Sequence, residues 1–191
     1  FRKKRKGERM NKLKYKILTK LYKALHKDTM PLKIEMLRSK GMKIGENARL
    51  FNDPMTSEPY LISIGNNVTI SSGTRFVTHD NSICKCENSA FTDVVGKIKI
   101  GNNVFIGMGS IIMYGVSIAD NTIIGSGSVV TKSIFDGGGW CGNPARKITT
   151  LDNFYQKNIS HGFNFKIDGK QASYDERKKM ILDNEDKIIE R

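Results

Sequence analysis

The chain has 191 residues and a formal net charge of +13, and 18 of its residues are glycine. This much glycine, with an aromatic content of only 8%, is atypical of a helical bundle. Residues 44–191 hold equal numbers of basic and acidic side chains, so the whole charge excess lies in residues 1–43. A basic binding surface spread over the entire protein is therefore excluded. No run of about 18 apolar residues and no apolar signal-peptide core occurs, so we expect a cytoplasmic protein without a membrane-spanning helix.

Residues 1–43 are predicted to form a basic helical segment. Between residues 10 and 27, apolar side chains recur at helical spacing and lysines fill most other positions. Such a helix either caps a repeat domain or packs in an oligomer, or it lies on the inner face of the membrane as a peripheral contact. No nucleic-acid-binding motif accompanies the lysines, so no nucleic-acid partner is expected. A second short helix is predicted near residues 31–40. The shared apolar stripe comprises Leu13, Ile17, Leu18, Leu21, Tyr22 and Leu25.

A hexapeptide repeat dominates residues 44–135. An aliphatic or aromatic side chain recurs every six residues, and Gly or Asn recurs three positions after most of them. A period of six fits neither a helix nor a flat strand. It fits a chain that runs extended, turns at Gly or Asn, and closes a triangular coil of about 18 residues. We therefore predict an all-β domain of stacked coils over residues 44–150. The repeated positions are Ile64, Ile70, Phe76, Ile100, Ile106, Ile112, Ile118, Ile124 and Val130.

The repeat is interrupted between Phe76 and Ile100. Residues 82–97 are predicted to form a loop that protrudes from one coil, and insertions of this kind often lie on the binding face. His79 lies just before the loop and is the only histidine of the repeat domain. An ordinary histidine pKa of about 6.5 suits a general base, and a surface histidine without a catalytic role is the alternative. Asp80 could bias the tautomer of His79 or favour its imidazolium form, although adjacent strand residues point to opposite faces.

Beyond the repeat, residues 151–191 are predicted to form a helical tail. Ser173 and Glu176 have the spacing of a capping box, which indicates a helix that runs from there to the end. Trp140, the single tryptophan, lies in a glycine-rich link just before this tail. We expect it to plug the last coil.

The cysteines Cys84, Cys86 and Cys141 are odd in number and lack paired spacing. We therefore expect reduced thiols and no disulfide framework. A structural zinc site needs four ligands, usually in two pairs, whereas this chain has one close cysteine pair and scattered histidines, so no metal is predicted. Cys84 as a covalent nucleophile near His79 is a competing hypothesis.

The chain carries characteristic segments at 59–70, 78–80 (Thr-His-Asp), 100–107, 124–132 and 142–146 (Gly-Asn-Pro-Ala-Arg). Together they resemble the sugar O-acetyltransferase branch of the hexapeptide-repeat acyltransferases, which is similar to maltose and galactoside acetyltransferases and to the O-acetyltransferases of capsule and O-antigen. This resemblance implies a left-handed parallel β-helix, a handedness that the spacing does not supply and that opposes the usual right-handed crossover. It also implies acetyl-CoA as co-substrate, no metal, and a homotrimer with active sites between subunits.

The resemblance also assigns roles to residues. His79 corresponds to the general base, with Asp80 beside it, and the acetyl group passes directly to the acceptor without a covalent enzyme intermediate. Phe105 stands where relatives often have Trp, and outer-face packing is the alternative for it. Lys132 and Arg146 would meet the phosphates of CoA, with ordinary solvated charge as the alternative. The residues assigned to acetyl-CoA are Phe105, Gly107, Met108, Gly125, Ser126, Thr131, Lys132 and Arg146.

These assignments predict an acetyl-CoA-dependent O-acetyltransferase that acts on a sugar hydroxyl in surface polysaccharide biosynthesis. A non-sugar acceptor, such as serine or an antibiotic, and a non-catalytic β-helix scaffold stay open as alternatives. A γ-class carbonic anhydrase needs three histidine ligands, and the repeat region holds only His79. Asn52, Asp53 and Asn81 are candidates for acceptor binding, and Trp140 would cover the adenine of CoA if it does not plug the last coil.

Overall fold

The computed structural model describes residues 12–25, 27–51 and 56–189. These residues form two compact units that separate between Thr149 and Thr150. The acceptor candidates Asn52 and Asp53 lie outside the described residues, as do residues 10, 11 and 26 of the first predicted helix. The helices are α1 Lys12–Ala24, α2 Met30–Ser39, α3 Leu151–Asn158 and α4 Tyr174–Leu182. The strands are β1 Lys43–Ile44, β2 Arg49–Leu50, β3 Ile62–Ile64, β4 Thr69–Ile70, β5 Arg75–Phe76, β6 His79–Asp80, β7 Val94–Val95, β8 Ile98–Ile100, β9 Val104–Ile106, β10 Ile111–Ile112, β11 Ser117–Ile118, β12 Thr122–Ile124, β13 Val129–Val130, β14 Gly138–Gly142, β15 Ala145–Thr149, β16 Lys166–Ile167 and β17 Lys170–Gln171.

Three sheets form the sides of a parallel coil. Sheet A has the order β1-β3-β8-β11, sheet B has β2-β4-β9-β12-β14 with β15 antiparallel at its edge, and sheet C has β5-β10-β13. Lys99 pairs with Ser117 on sheet A, and Ile111 pairs with Val129 on sheet C, so each regular coil contains 18 residues. The predicted three-sided coil of hexapeptides is confirmed.

The repeated apolar side chains stack inside this coil. On each side, the residue at the repeat position lies in register with its equivalent one coil away, as Ile100 does with Ile118. Each of these side chains is at most 4% exposed. Burying one such side chain stabilises the fold by about 1.5–3 kcal/mol, so each of the three columns contributes several kcal/mol. The stacks are Ile64-Ile100-Ile118, Ile70-Ile106-Ile124 and Phe76-Ile112-Val130.

Asparagine and glycine form the corners, as the sequence predicts. Between sheets A and B, Asn67, Asn103 and Asn121 have φ values of 53°, 54° and 56°. Their amides form a ladder, in which Asn67 Nδ2 donates to Asn103 Oδ1 at 2.9 Å and Asn103 Nδ2 donates to Asn121 Oδ1 at 2.7 Å. Asparagine tolerates the left-handed region and supplies this hydrogen bond, which explains why it recurs here.

Between Phe76 and Ile98 the chain leaves the coil at the corner between sheets C and A, and we call this segment the excursion. Ile62 pairs directly with Ile98, an offset of 36 residues, so the excursion adds the length of one coil. Its base is an antiparallel pair in which His79 lies opposite Val95. The excursion therefore begins before the predicted loop 82–97, and Val94–Val95 is a strand rather than loop because it pairs with the outgoing arm.

Helix α2 closes the first coil. Leu37 and Met42 belong to the main core, and Met30 and Ile34 pack against it. Arg38 fastens the helix to the coil, because its Nη2 donates to the carbonyl oxygens of Ile44 and Gly45. The cap at this end is thus α2, whereas α1, the first predicted helix, packs on α2 through a separate apolar cluster.

The other end of the coil is closed by the glycine-rich link. Gly138 and Gly139 are buried in β14, which extends sheet B, so this link is not free of the core. Trp140 pairs in register with Ile124 and packs against the main core. The expectation that Trp140 plugs the last coil is therefore confirmed.

The C-terminal unit contains α3, the antiparallel pair of β16 and β17, and α4. The predicted capping box is confirmed: Ser173 N donates to Glu176 Oε2 at 2.7 Å and Glu176 N donates to Ser173 Oγ at 3.3 Å. The prediction that this helix continues to the end is wrong, because α4 ends at Leu182 and a 3₁₀ turn follows at Glu185–Lys187. None of the described helices has the length and apolar character to cross a bilayer.

Candidate active site

His79 lies at the corner where the excursion leaves the coil, and a glutamate holds its ring. Nδ1 of His79 lies 2.9 Å from Oε2 of Glu58, and the two side chains are 41% and 19% exposed. A carboxylate can only accept, so Nδ1 carries the proton in this bond. In the neutral ring the lone pair is then on Nε2, and His79 has the arrangement that a general base requires.

Threonine hydroxyls fix the carboxylate of Glu58. Thr78 is only 2% exposed, and its Oγ1 donates to the same Oε2 of Glu58 at 2.5 Å. The hydroxyl of Thr56 lies 2.7 Å from that of Thr78 and donates to it, because the proton of Thr78 is already committed. The Thr-His segment at 78–79 therefore contributes both a base and a donor that orients the partner of the base.

The two partners stabilise each other's charged form. The hydrogen bond to Glu58, followed by its charge, raises the pKa of His79 above the ordinary value. The hydrogen bond from Thr78, followed by the one from His79, lowers the pKa of Glu58. Glu58 therefore remains a carboxylate at neutral pH, and His79 is more basic than an unpaired histidine.

Asp80 acts on His79 through its charge, which adds to the rise in the pKa of His79 after the larger effects of Glu58 and Asp93. Its carboxylate accepts a hydrogen bond from Ser82 N at 2.8 Å, and this bond lowers the pKa of Asp80. Asn81 is exposed and begins the following 3₁₀ turn, where its carbonyl accepts from Cys84 N. The expected tautomer-setting contact from Asp80 is thus made by Glu58 instead, because neighbouring residues on β6 point in opposite directions.

Sequence reasoning missed Glu58. It lies 21 residues before His79, just ahead of the 3₁₀ turn Pro59–Leu61 that leads into β3. Ile44 pairs with Ile64, so the first coil is two residues longer than a regular one and the hexapeptide phase gives no consistent position for Glu58. The one available signal was an acidic residue about one coil before a Thr-His segment.

A cleft of about 540 Å³ opens at His79. Arg75 lines it from strand β5, where the side chain of Arg75 faces outward because that of Phe76 faces the core. Among the described residues that line the cleft, Arg75 brings the permanent positive charge. The lining residues are Thr56, Ser57, Arg75, Phe76, Val77, Thr78 and His79.

Most of the residues assigned to acetyl-CoA converge on the corner between sheets B and C. Gly107 and Gly125 begin stacked turns, and a Cβ on Gly107 would lie 2.5 Å from Ser126 N, so only glycine fits there. Met108 O accepts from Gly127 N at 2.8 Å. Phe105 projects outward from β9 and is 42% exposed.

The other assigned residues lie apart from this corner. Thr131 and Lys132 directly follow β13 and are exposed at the next corner. Arg146 is exposed on β15, opposite Cys141, at the edge of sheet B. The three cysteines are free thiols, and the described residues contain no group of three or more His, Cys, Asp or Glu side chains suited to a metal ion.

Comparison with known proteins identifies the family of the repeat. A family model described as bacterial transferase hexapeptide (six repeats) matches residues 97–132. The chain is 42% identical over 152 residues to the protein CapG of Staphylococcus aureus, covering 78% of this chain and 86% of CapG. It is 31% identical over 118 residues to YvoF of Bacillus subtilis, provisionally named an acetyltransferase, covering 61% of this chain and 64% of YvoF.

The fold also matches a solved structure. A hexapeptide-repeat-containing acetyltransferase of Vibrio cholerae aligns with a TM-score of 0.50 at 18% identity, over 72% of this chain and 90% of that chain. At this identity the match concerns the fold alone. Since CapG aligns over most of its length and the family model matches the repeat, the chain belongs to the hexapeptide-repeat family of bacterial transferases.

Proposed function

We propose that this protein is an acetyl-CoA-dependent O-acetyltransferase that acts on a sugar hydroxyl in surface polysaccharide biosynthesis. The observation that carries the proposal is the pair of His79 and Glu58 at the mouth of a cleft, in a chain of the hexapeptide transferase family. A carboxylate-oriented imidazole with a free nitrogen is suited to removing a proton from an alcohol.

The reaction proceeds by direct transfer. Nε2 of His79 accepts the hydroxyl proton as the acceptor oxygen attacks the thioester carbonyl of acetyl-CoA. The C–S bond then breaks, the imidazolium returns the proton to the leaving thiolate, and the products are the acetyl ester and CoA. Glu58 stabilises the imidazolium between these two proton transfers, because its charge is fixed by Thr78.

Acetyl-CoA is proposed to lie along the corner between sheets B and C. Phe105 and Met108 are exposed apolar side chains there, and a Cβ added at Gly109 or Gly127 in the same turns would meet no atom within 4 Å, so a narrow pantetheine chain can approach. Thr131, Lys132 and Arg146 are assigned to the nucleotide end, where cations suit phosphates. Asn81, at the start of the excursion, is assigned to the acceptor sugar.

The coils are proposed to wind left-handed, and the protein is proposed to be a trimer with active sites between subunits. Both follow from the family resemblance, and the exposed Phe105 and Met108 are side chains that a neighbouring subunit would cover. A crystal structure with right-handed coils would contradict the first proposal.

The test is a panel of nucleotide-linked and lipid-linked sugars incubated with acetyl-CoA. Acetylated products are identified by mass spectrometry, and CoA release is followed with a thiol reagent. Serine and hydroxylated antibiotics form a second arm of the panel. The function proposed here requires acetylation of at least one sugar, whereas turnover confined to the second arm, or no CoA binding at all, would overturn it.

The role of His79 is tested in the same assay. We expect His79→Ala to lower turnover by about 10²–10⁴-fold, the usual contribution of a general base. The exposed Lys43→Ala variant, located on the first coil, serves as a control that should keep full activity. Unchanged turnover in His79→Ala would point to a scaffold or to a different base.

A further inference from the structure

Helix α1 has two apolar faces, and among the described residues only one of them belongs to an apolar cluster with another helix. Tyr15, Leu18 and Tyr22 pack against Leu32 and Met36 of α2. At about 100° per residue, a second stripe with i, i+4 spacing lies on another side of the helix. Its side chains remain between 50% and 68% exposed. We name this surface the aliphatic stripe; it consists of Leu13, Ile17, Leu21 and Leu25.

Lysines flank the aliphatic stripe, and one more, Lys14, falls within it at helical spacing. At helical spacing, Lys16, Lys20 and Lys23 fall on the side of α1 opposite Leu18, and all three are exposed. The sequence of α1 contains no acidic residue, and the surrounding residues 1–43 hold the whole net charge of the chain. An exposed apolar face beside this much positive charge is complementary to a surface that is both apolar and anionic.

The stripe could be covered by a second copy of α1 or by an anionic lipid surface, and the charge of α1 favours the lipid surface. A second copy of α1 laid on it would bring a second set of lysines next to the first, and like charges repel. The end of the coil is already closed by α2, so the stripe is not required for capping. An anionic lipid surface complements both the apolar stripe and the positive charge beside it, since its acyl boundary accepts leucines while its phosphates attract lysines.

We propose that the aliphatic stripe of α1 binds the surface of an anionic phospholipid bilayer. The helix lies in the plane of the headgroups with Ile17 and Leu21 at its centre, and Lys16 and Lys20 contact lipid phosphates. Its 13 residues are too few to cross the bilayer. This inference does not depend on acetyl transfer; if both hold, the site at His79 works beside acceptors that are attached to lipid.

The test is co-sedimentation of the full chain with vesicles of phosphatidylcholine alone and of phosphatidylcholine with about one third phosphatidylglycerol. We expect binding to the anionic vesicles that weakens as salt concentration rises, and at least about tenfold weaker binding to the neutral ones. Equal binding to both, or none to either, would overturn the proposal.

Two variants identify the surface. Ile17→Asp/Leu21→Asp should lower vesicle binding at least about tenfold, because it places two carboxylates in the stripe. Lys16→Glu/Lys20→Glu should do the same while it leaves the stripe apolar. The control is Leu182→Asp/Ile189→Asp, which alters two exposed aliphatic residues of the C-terminal unit and should bind like the unaltered chain.

Circular dichroism and light scattering accompany these measurements. All three variants should keep the spectrum and the oligomeric mass of the unaltered chain, since the changed side chains are exposed. If Ile17→Asp/Leu21→Asp lowers the oligomeric mass and the unaltered chain does not bind vesicles, the stripe is covered by a second copy of the chain. The proposal then fails. Acetylation of a water-soluble sugar, measured separately, reports on the proposed function alone.

Discussion

At the scale of single residues, Glu58 determines which nitrogen of His79 is free. Its carboxylate engages Nδ1, and Thr78 holds that carboxylate in turn. Residue type alone left His79 open between a base and a surface histidine, and the resemblance carried by the Thr-His segment singled it out as the candidate base. Glu58 was not predictable, since the irregular first coil removes it from the hexapeptide phase. Asp80 was a plausible partner in sequence, but the hydrogen bond of Nδ1 is made with Glu58, while a carboxylate oxygen of Asp80 accepts from Ser82 N.

The pH dependence of the reaction tests this pair. Glu58 raises the pKa of His79, so the base stays protonated to a higher pH and the acid limb of kcat/KM lies above that of an unpaired histidine. We expect Glu58→Gln to move this limb to lower pH and to slow turnover about ten- to hundredfold through lost orientation. Glu46→Gln, on an exposed corner, is the control, and an unmoved limb in Glu58→Gln would exclude the pairing.

Arg75 carries a prediction about the acceptor. Arg75 lines the same cleft as His79, so we expect an acceptor that bears a phosphate or carboxylate to be favoured. We expect Arg75→Gln to raise KM for such an acceptor about tenfold while kcat stays near its original value. The measurement is the KM of Arg75→Gln for an anionic and for a neutral acceptor. An equal rise in KM for both would contradict a role for the charge of Arg75.

At the scale of secondary-structure elements, the stacked columns should dominate stability. Ile112 is fully buried in sheet C, so Ile112→Ala removes a side chain from a close-packed column. We expect a loss of about 2–5 kcal/mol in the free energy of unfolding, measured by urea denaturation. Ile148→Ala, at a position that is 64% exposed, should change it by less than about 0.5 kcal/mol.

The asparagine corner allows conformation and hydrogen bonding to be separated. Asn103 has a φ of 54° and belongs to the amide ladder. Asn103→Gly tolerates the positive φ and loses the amide hydrogen bonds of the ladder. Asn103→Ala loses these hydrogen bonds and is also strained by the positive φ. We expect alanine to be about 1 kcal/mol less stable than glycine here. A stability order with glycine below alanine would show that strain is unimportant at this corner.

The repeating elements were predictable because every sixth residue must place an apolar side chain inside the coil. Phe76, Ile112 and Val130 occupy equivalent places, so a pattern visible in sequence corresponds to a column in space. The antiparallel pair of β6 and β7 was not predictable in this way. It depends on the local meeting of His79 with Val95, which follows no period.

At the scale of the whole molecule, the charge and the fold divide the chain in different ways. The sequence separates the basic residues 1–43 from residues 44–191, in which basic and acidic side chains balance. In the structure, however, helix α2 of the basic segment closes the first coil. The apolar stripe predicted for the first helix comprises two faces in the structure. Leu18 and Tyr22 serve the packing against α2, while Leu13 and Ile17 stay outside. Periodicity alone cannot distinguish these faces, because the distinction depends on where a second helix packs.

The oligomeric state is the corresponding prediction at this scale. We expect light scattering to give three times the mass of the 21.5 kDa chain. A single chain exposes Phe105 and Met108 on the face assigned to acetyl-CoA, and a neighbouring subunit would remove this apolar surface from water. A monomeric mass at concentrations where the enzyme is active would contradict a site shared between subunits.

The excursion at His79 has a consequence for how such proteins diversify. Strands β3 and β8 pair across it, and Gly96 N donates to Thr78 O at 2.9 Å, so the chain returns to the register that it left. The stacking of the coils is therefore indifferent to what the excursion contains. Segments of other length or composition can replace it beside His79 at little cost to the scaffold. If His79 is the base as proposed, exchange of this segment between relatives should give enzymes with new acceptor preferences.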